Sequence, residues 1–111
     1  MKIFTYPSDG PVLSTVAAVI DLIGETYGTE VETVAIPADR LADDFFVLRT
    51  GFAGEVTQKF VNYRLRLAIV GDISAQLASS SALRDFVTEA NRGRQLWFVA
   101  DEAELDRRLA G

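Results

Sequence analysis

The 111-residue sequence contains no cysteine and no histidine. The first absence excludes disulfides and thiolate nucleophiles. The two together exclude Cys/His zinc sites and every histidine-based catalytic triad. Long apolar stretches are missing as well: the run at 16–20 is five residues, far short of the roughly 20 that a membrane span needs. The opening Met1-Lys2-Ile3-Phe4-Thr5-Tyr6-Pro7 has no extended apolar core and no small-residue cleavage site. These features predict a soluble, cytoplasmic protein, and the lack of cysteine fits a reducing compartment. Basic charge is also short, with 11 lysines and arginines against 16 acids, for a formal net charge of −5. A phosphate backbone is repelled by such a molecule, so general nucleic-acid binding is not expected. The deficit is uneven. Residues 1–55 hold nine acids and three bases, whereas residues 56–111 hold seven acids and eight bases. A local basic face built from Arg64, Arg66, Arg92 and Arg94 escapes the general argument.

What is present is an ordinary globular balance, 49% hydrophobic and 24% charged, in a length that suits one domain. No repeat, linker or low-complexity tract interrupts it. Residues 2–6 predict a short strand, closed by the turn cluster Pro7-Ser8-Asp9-Gly10-Pro11. Leu13, Val16, Ala17, Ile20, Ile23 and Tyr27 recur at helical spacing, with Ser14 and Thr15 early and Gly28 as a stop. Residues 31–36 are rich in β-branched side chains and end at Pro37, as a strand does. Residues 38–49 predict an acidic loop with one helical turn. A second helix follows over 51–63, with Ala53, Val56, Phe60 and Tyr63 on one side. Residues 65–70 are apolar apart from Arg66, which suits a strand buried on both faces. Ser79-Ser80-Ser81 offers N-caps to a helix carrying Leu83, Phe86, Val87 and Ala90, which ends at a left-handed Gly93. Residues 96–100 predict a fourth strand, whose Trp97 and Phe98 face opposite sides. Asp101 and Glu104 resemble a capping box before Leu105 and Leu109, with Arg107 and Arg108 near that helix's end.

The predicted architecture is α/β: one small domain with a mostly parallel four-stranded sheet and about four helices, in β-α-β-α-β-α-β-α order. Connections this long imply parallel pairing and right-handed crossovers. Ligands of such sheets usually sit beyond the carboxyl ends of the strands. That edge is expected to carry Asp39, Arg40, Asp43, Asp44, Thr50, Gly51, Asp72, Ser74 and Asp101. The opposite edge is expected to carry Arg64, Arg66, Arg94 and Gln95.

Several stretches admit both a chemical and a structural reading. Thr50-Gly51-Phe52-Ala53-Gly54-Glu55 sets two glycines around a helix start, which suits an anion or an approaching backbone. It is neither a Walker loop nor a dinucleotide fingerprint. Its structural reading has Thr50 capping the helix and Gly54 permitting close helix–sheet packing. Asp39, Asp43, Asp44 and Glu55 suggest a carboxylate cluster for Mg²⁺ or acid–base work, against a solvated acidic loop. Asp72, in Gly71-Asp72-Ile73-Ser74, sits where catalytic aspartates often do, but such a residue also bonds its own backbone in a turn. Asn91 and Arg92 suit a carboxylate or phosphate, or else satisfy the last carbonyls of their helix. Phe45, Phe46, Phe52, Phe60, Phe86, Trp97 and Phe98 read mostly as core, and an aromatic exposed on the acidic loop, Phe45 or Phe46, is the better candidate for a partner contact.

The stretch Asp44-Phe45-Phe46-Val47-Leu48-Arg49-Thr50-Gly51-Phe52-Ala53-Gly54-Glu55-Val56-Thr57-Gln58-Lys59-Phe60-Val61-Asn62-Tyr63 resembles an uncharacterised bacterial family, domain of unknown function 4180 (DUF4180). The resemblance continues through Leu67-Ala68-Ile69-Val70-Gly71-Asp72 and Asp85-Phe86 to Glu89-Ala90-Asn91-Arg92-Gly93, covering roughly the last two-thirds of the chain. It implies no established activity. More distantly, the layout is similar to the STAS domain of sulfate transporters and anti-sigma-factor antagonists. In that fold an Asp-Ser-Ser/Thr-Gly turn precedes a helix. Here Leu48-Arg49-Thr50-Gly51 occupies the turn. Thr50 and Gly51 match, but Leu48 replaces the acid and Arg49 the phosphoacceptor, so a phosphorylation switch is not implied. The resemblance implies the architecture and partner docking around that helix start.

Three functional expectations follow. The first is a non-enzymatic regulatory or protein-interaction module, contacting its partner through Asp44, Phe45, Phe46 and the helix start at Thr50, Gly51 and Glu55, without cofactor or metal. The second is a small-molecule or anion-binding protein, or a metal-assisted enzyme, with Asp44, Thr50, Glu55, Asp72, Asn91 and Arg92 converging at the strand carboxyl ends. The third is self-association through an exposed edge strand at 2–6.

Overall fold

The computed structural model describes residues 2–110; Met1 and Gly111 lie outside the described residues. The four strands are β1 (Lys2–Thr5), β2 (Val31–Pro37), β3 (Arg66–Val70) and β4 (Leu96–Val99). They form one sheet in the order β1-β2-β3-β4, and every pair is parallel. The alternating strand–helix pattern requires this, because the connections are too long for hairpins. β1 and β4 are the two outer strands.

Six helical segments connect or follow the strands: α1 (Val16–Gly24), α2 (Asp43–Phe46), α3 (Phe52–Asn62), α4 (Ser74–Ala78), α5 (Ser81–Arg92) and α6 (Glu102–Ala110). Each new strand adds on the same side of the last, so crossovers of one hand stack their helices on one face. Alternate strand residues accordingly serve two cores. Val34, Ile36, Leu67, Ile69, Leu96 and Phe98 pack beneath Val19, Leu22 and Ile23 of α1, Val56 and Phe60 of α3, and Leu83 of α5. Ala35, Ala68, Trp97 and Val99 face the other way and pack against Leu105 of α6. Trp97 and Phe98 thus enter opposite cores, as strand alternation predicts.

Local capping signals are honoured. Thr15 Oγ1 accepts the Ala18 N–H, Ser80 Oγ accepts the Leu83 N–H, and Asp101 Oδ1 accepts the Glu104 N–H at 2.8 Å. Glu104 accepts in return from the Ala100 N–H at 2.7 Å. Four local expectations are corrected. The first helix begins at Val16, not Leu13, because Leu13 leaves the periodic stripe to bridge Leu41. Tyr27 lies beyond that helix and is 86% exposed. Gly93 is extended (φ −93°, ψ −161°), not left-handed, because the chain is already turning toward β4. The acidic loop at 38–49 is more ordered than expected: a 3-10 turn at Ala38–Arg40, helix α2, and a second 3-10 turn at Leu48–Thr50. None of the described helices is long and apolar enough to cross a membrane.

Candidate functional site

Because the strands are parallel, their carboxyl ends share one edge, and the connections leaving β2 and β3 meet above it. Between those connections lies an open cleft of about 550 Å³. One wall is the α2 end and the turn after it, with Asp43, Phe46, Val47, Leu48 and Arg49; the other is the α4–α5 junction, with Gln76, Ser79, Ser80 and Ala82. The cleft therefore pairs an apolar strip with one carboxylate, one guanidinium and two hydroxyls.

The residues singled out from sequence are distributed otherwise. Phe45 and Phe46 are not exposed: they retain 1% and 6% of their surface and belong to the main core. The single turn of α2 explains the correction. Two consecutive residues on a turn packed against α3 and the sheet face inward, whereas Asp43, Asp44 and Val47 around them remain exposed. Phe46 nevertheless touches the cleft from below.

Thr50 is occupied with its own backbone. Its Oγ1 lies 2.8 Å from the Asp44 carbonyl and 2.9 Å from the Val47 carbonyl, donates to one of them, and accepts the Phe52 N–H at 3.2 Å. It holds one of the free N–H groups at the start of α3, although Gly51, not Thr50, is the N-cap residue of that helix. Gly51 turns the chain from the 3-10 segment into α3 at φ +79°, a left-handed value that favours glycine. Gly54 does not serve close packing, since a Cβ there would meet open space. Glu55 is exposed in the first turn of α3, where its charge complements the helix dipole.

Asp72 forms the predicted local turn: its Oδ1 accepts the Ser74 N–H at 2.8 Å. Hydrogen bonding to the Ser74 side chain, and then to its backbone, holds the Asp72 carboxyl below the ordinary aspartate range. Asp39, Asp43, Asp44 and Glu55 do not assemble. Among the described residues no three acids stand close enough together to hold a metal ion.

Asn91 and Arg92 lie at the far end of α5, which runs back to the strand amino ends, and so they do not join Asp72 or Thr50. Asn91 has a different task. Its Nδ2 donates to the Phe98 carbonyl at 3.2 Å and its Oδ1 accepts the Phe98 N–H at 2.8 Å. The side-chain amide thereby imitates a neighbouring strand along the outer side of β4. Arg92 pairs with Glu89 at 2.9 Å on the exposed surface, a contact of small energetic weight. Asn91→Ala is expected to lower the unfolding free energy by about 1–3 kcal/mol, the cost of leaving two partly buried main-chain groups unmet. Urea denaturation measures the loss, and amide exchange at Phe98 accelerates with it. Unchanged exchange at Phe98 would rule out the bridging role.

The model of a domain of unknown function, DUF4180, matches residues 1–109. The chain belongs to the DUF4180 family. The match takes in β1 and α1 as well as the stretch from Asp44 to Gly93 that carries the resemblance in sequence. No curated protein and no solved structure matches the chain. The DUF4180 membership therefore brings no activity with it.

In this DUF4180 domain the cleft residues missed in sequence are Val47, Leu48, Arg49, Gln76, Ser79, Ser80 and Ala82. The one signal available for them was the serine triplet. Only Ser80 is needed as the cap of α5, which leaves Ser79, bonded to the Gln76 carbonyl at 3.1 Å, at the cleft wall. Helix α4 went unseen because five residues are too few to express a helical period.

Proposed function

We propose that this DUF4180 domain is a non-enzymatic protein-interaction module whose contact surface is the cleft between the β2–α3 and β3–α5 connections. The observation that carries the reading is the composition of that cleft. Exposed Val47 stands beside Leu48, with Asp43 and Arg49 at the rim and the hydroxyls of Ser79 and Ser80 opposite. An apolar strip bordered by single charges of both signs suits an extended protein segment, with the strip supplying area and the rim supplying register. Of the residues that would have to act together in an enzyme, Thr50, Asp72 and Asn91 bond main-chain groups and Arg92 pairs with Glu89. The strand–helix order adds the STAS analogy, in which partners dock around the helix start that here borders the cleft. The contact moves accordingly from Phe45 and Phe46 to Val47, Leu48 and Arg49, with no cofactor required.

The test is a photoreactive side chain at Val47, activated in the producing cell. Discrete crosslinked protein products are expected at Val47 and not at Ala103 on α6. The Arg49→Glu background is expected to reduce the Val47 products about tenfold, the scale of losing one interface arginine. A second copy of the chain as the crosslinked species would make the module self-associating. Equal products at both positions, or none at Val47, would refute the surface.

A further inference from the structure

The edge of the sheet opposite the cleft gathers the arginines of the basic half of the sequence. The chain enters β3 and β4 through the turns at 63–65 and 93–95, and both turns carry an arginine. Arg64 has φ +57°, the one positive value outside glycine among the described residues, a backbone state that crowds Cβ against the neighbouring carbonyl. Arg66 is fixed from two sides. Its Nε donates to the Arg94 carbonyl at 2.6 Å, and its guanidinium lies 4.4 Å from the centre of the Trp97 ring. Arg108 of α6 stacks on the same ring, also at 4.4 Å. Burial lowers the Arg66 pKa first, then the positive charge of Arg94; Glu32 raises it, and Arg108 lowers it further. The like charges are thus close enough to feel one another.

Arg64, Arg66 and Arg94, with Glu32, Leu65 and Gln95, line a groove of about 380 Å³. Three guanidiniums against one carboxylate leave a lining charge of +2, in a chain whose net charge is −5. The carboxyl ends of α3 and α5 lie just before Arg64 and Arg94, and a helix terminus offsets about half a charge. Between one and two positive charges remain. The guanidiniums of Arg64 and Arg94 make no hydrogen bond or ion pair among the described residues. Each presents a planar fork of donors that matches phosphate oxygens.

We propose that this groove binds a phosphate-type anion, a phosphomonoester or diphosphate group, gripped by the Arg64 and Arg94 guanidiniums above Arg66 as a fixed positive floor. A phosphate ester carries about −1.5 to −2 at neutral pH and so fits the residual charge. A nucleic-acid backbone does not, because the rest of the molecule repels a long polyanion. The site is independent of the cleft, from which the full length of the sheet separates it.

Trp97, the single tryptophan, is a built-in reporter, since an anion drawing on Arg66 alters the stack on its ring. Inorganic pyrophosphate is titrated at constant ionic strength against chloride while Trp97 emission is read. A saturable change is expected with pyrophosphate and not with chloride. Arg94→Gln is expected to weaken it about tenfold, and Arg49→Gln on the distant cleft to leave it unchanged. Arg64→Gly removes the strained side-chain-bearing residue, so it is expected to keep the thermal midpoint while weakening binding to the same degree. That combination separates a ligand role from a structural one. Vesicles with and without phosphatidic acid form a second arm. Cosedimentation that depends on phosphatidic acid and on Arg94 identifies a lipid headgroup as the source; pyrophosphate binding alone identifies a free phosphate compound. An identical response to chloride, or full binding by both arginine variants, overturns the proposal.

Discussion

Phe45→Ala is expected to lower the unfolding free energy by about 3–5 kcal/mol, the range for deleting a fully buried phenyl ring. The ring sits among aromatic neighbours, 5.3 Å from Phe46 and 6.3 Å from Phe52, both edge-on, and 6.4 Å from Phe98 of β4. Such contacts add to the transfer free energy of the ring. The void cannot close easily, because Phe45 ties the short helix α2 simultaneously to α3 and to the sheet. Urea denaturation reads the effect as an earlier midpoint at an unchanged slope. Val47→Ala, two residues on and exposed, is expected to stay within about 0.5 kcal/mol. The pair of variants decides whether this segment contributes its aromatic residues to the core or to a partner. Loss of binding in Phe45→Ala without loss of stability would return Phe45 to the surface.

Arg40→Ala is expected to cost about 2–4 kcal/mol, from charge-assisted hydrogen bonds and packing lost together. Arg40 is buried to 3% exposure, and its guanidinium donates to main-chain carbonyls: Pro11 at 2.8 Å from Nε, with Pro7 and Asp9 reached by one terminal nitrogen. Its guanidinium also lies 4.3 Å from the centre of the Tyr6 ring. One side chain thereby staples the whole turn after β1 onto the end of β2. Gly10 is part of the same device: at φ +117° it brings the chain so close that a Cβ would stand 3.1 Å from the guanidinium. Arg40→Lys keeps the charge but lacks the fork, so it recovers only part of the loss. Thermal denaturation gives the magnitude. Limited proteolysis within residues 7–11 locates it, since a released turn is cut before the sheet opens. A variant as stable and as protected as the parent would show that the staple carries no weight.

These two residues mark where reading the chain alone stops. The sequence reading sets Phe45 on an acidic loop because Asp39, Asp43 and Asp44 dominate the local composition. A single helical turn has too few residues to show which side is apolar. Arg40 falls at the correct edge of the sheet, yet nothing nearby announces its role, because its acceptors lie 29 to 33 positions earlier. Asn91 is similar. At the end of a helix it reads as a cap, and only the approach of β4 as an outer strand gives its amide a backbone to pair with.

The sequence by itself determined the alternation of strands and helices, the parallel class of the sheet, the places of the helix caps (at 14–15, at 79–81 and at Asp101), and the two faces of the fourth strand. All of these are written in periods and neighbours within a few positions, where covalent geometry fixes what meets what. The tertiary structure alone decided that both Phe45 and Phe46 go inside, that Asn91 serves β4, and that Val47 and Arg49 line a cleft. It also decided that Arg66 and Arg108, 42 positions apart, share the ring of Trp97. The physical reason is that burial and pairing at these positions depend on segments brought together by the sheet, and the order in which strands join a sheet is not encoded in any local pattern.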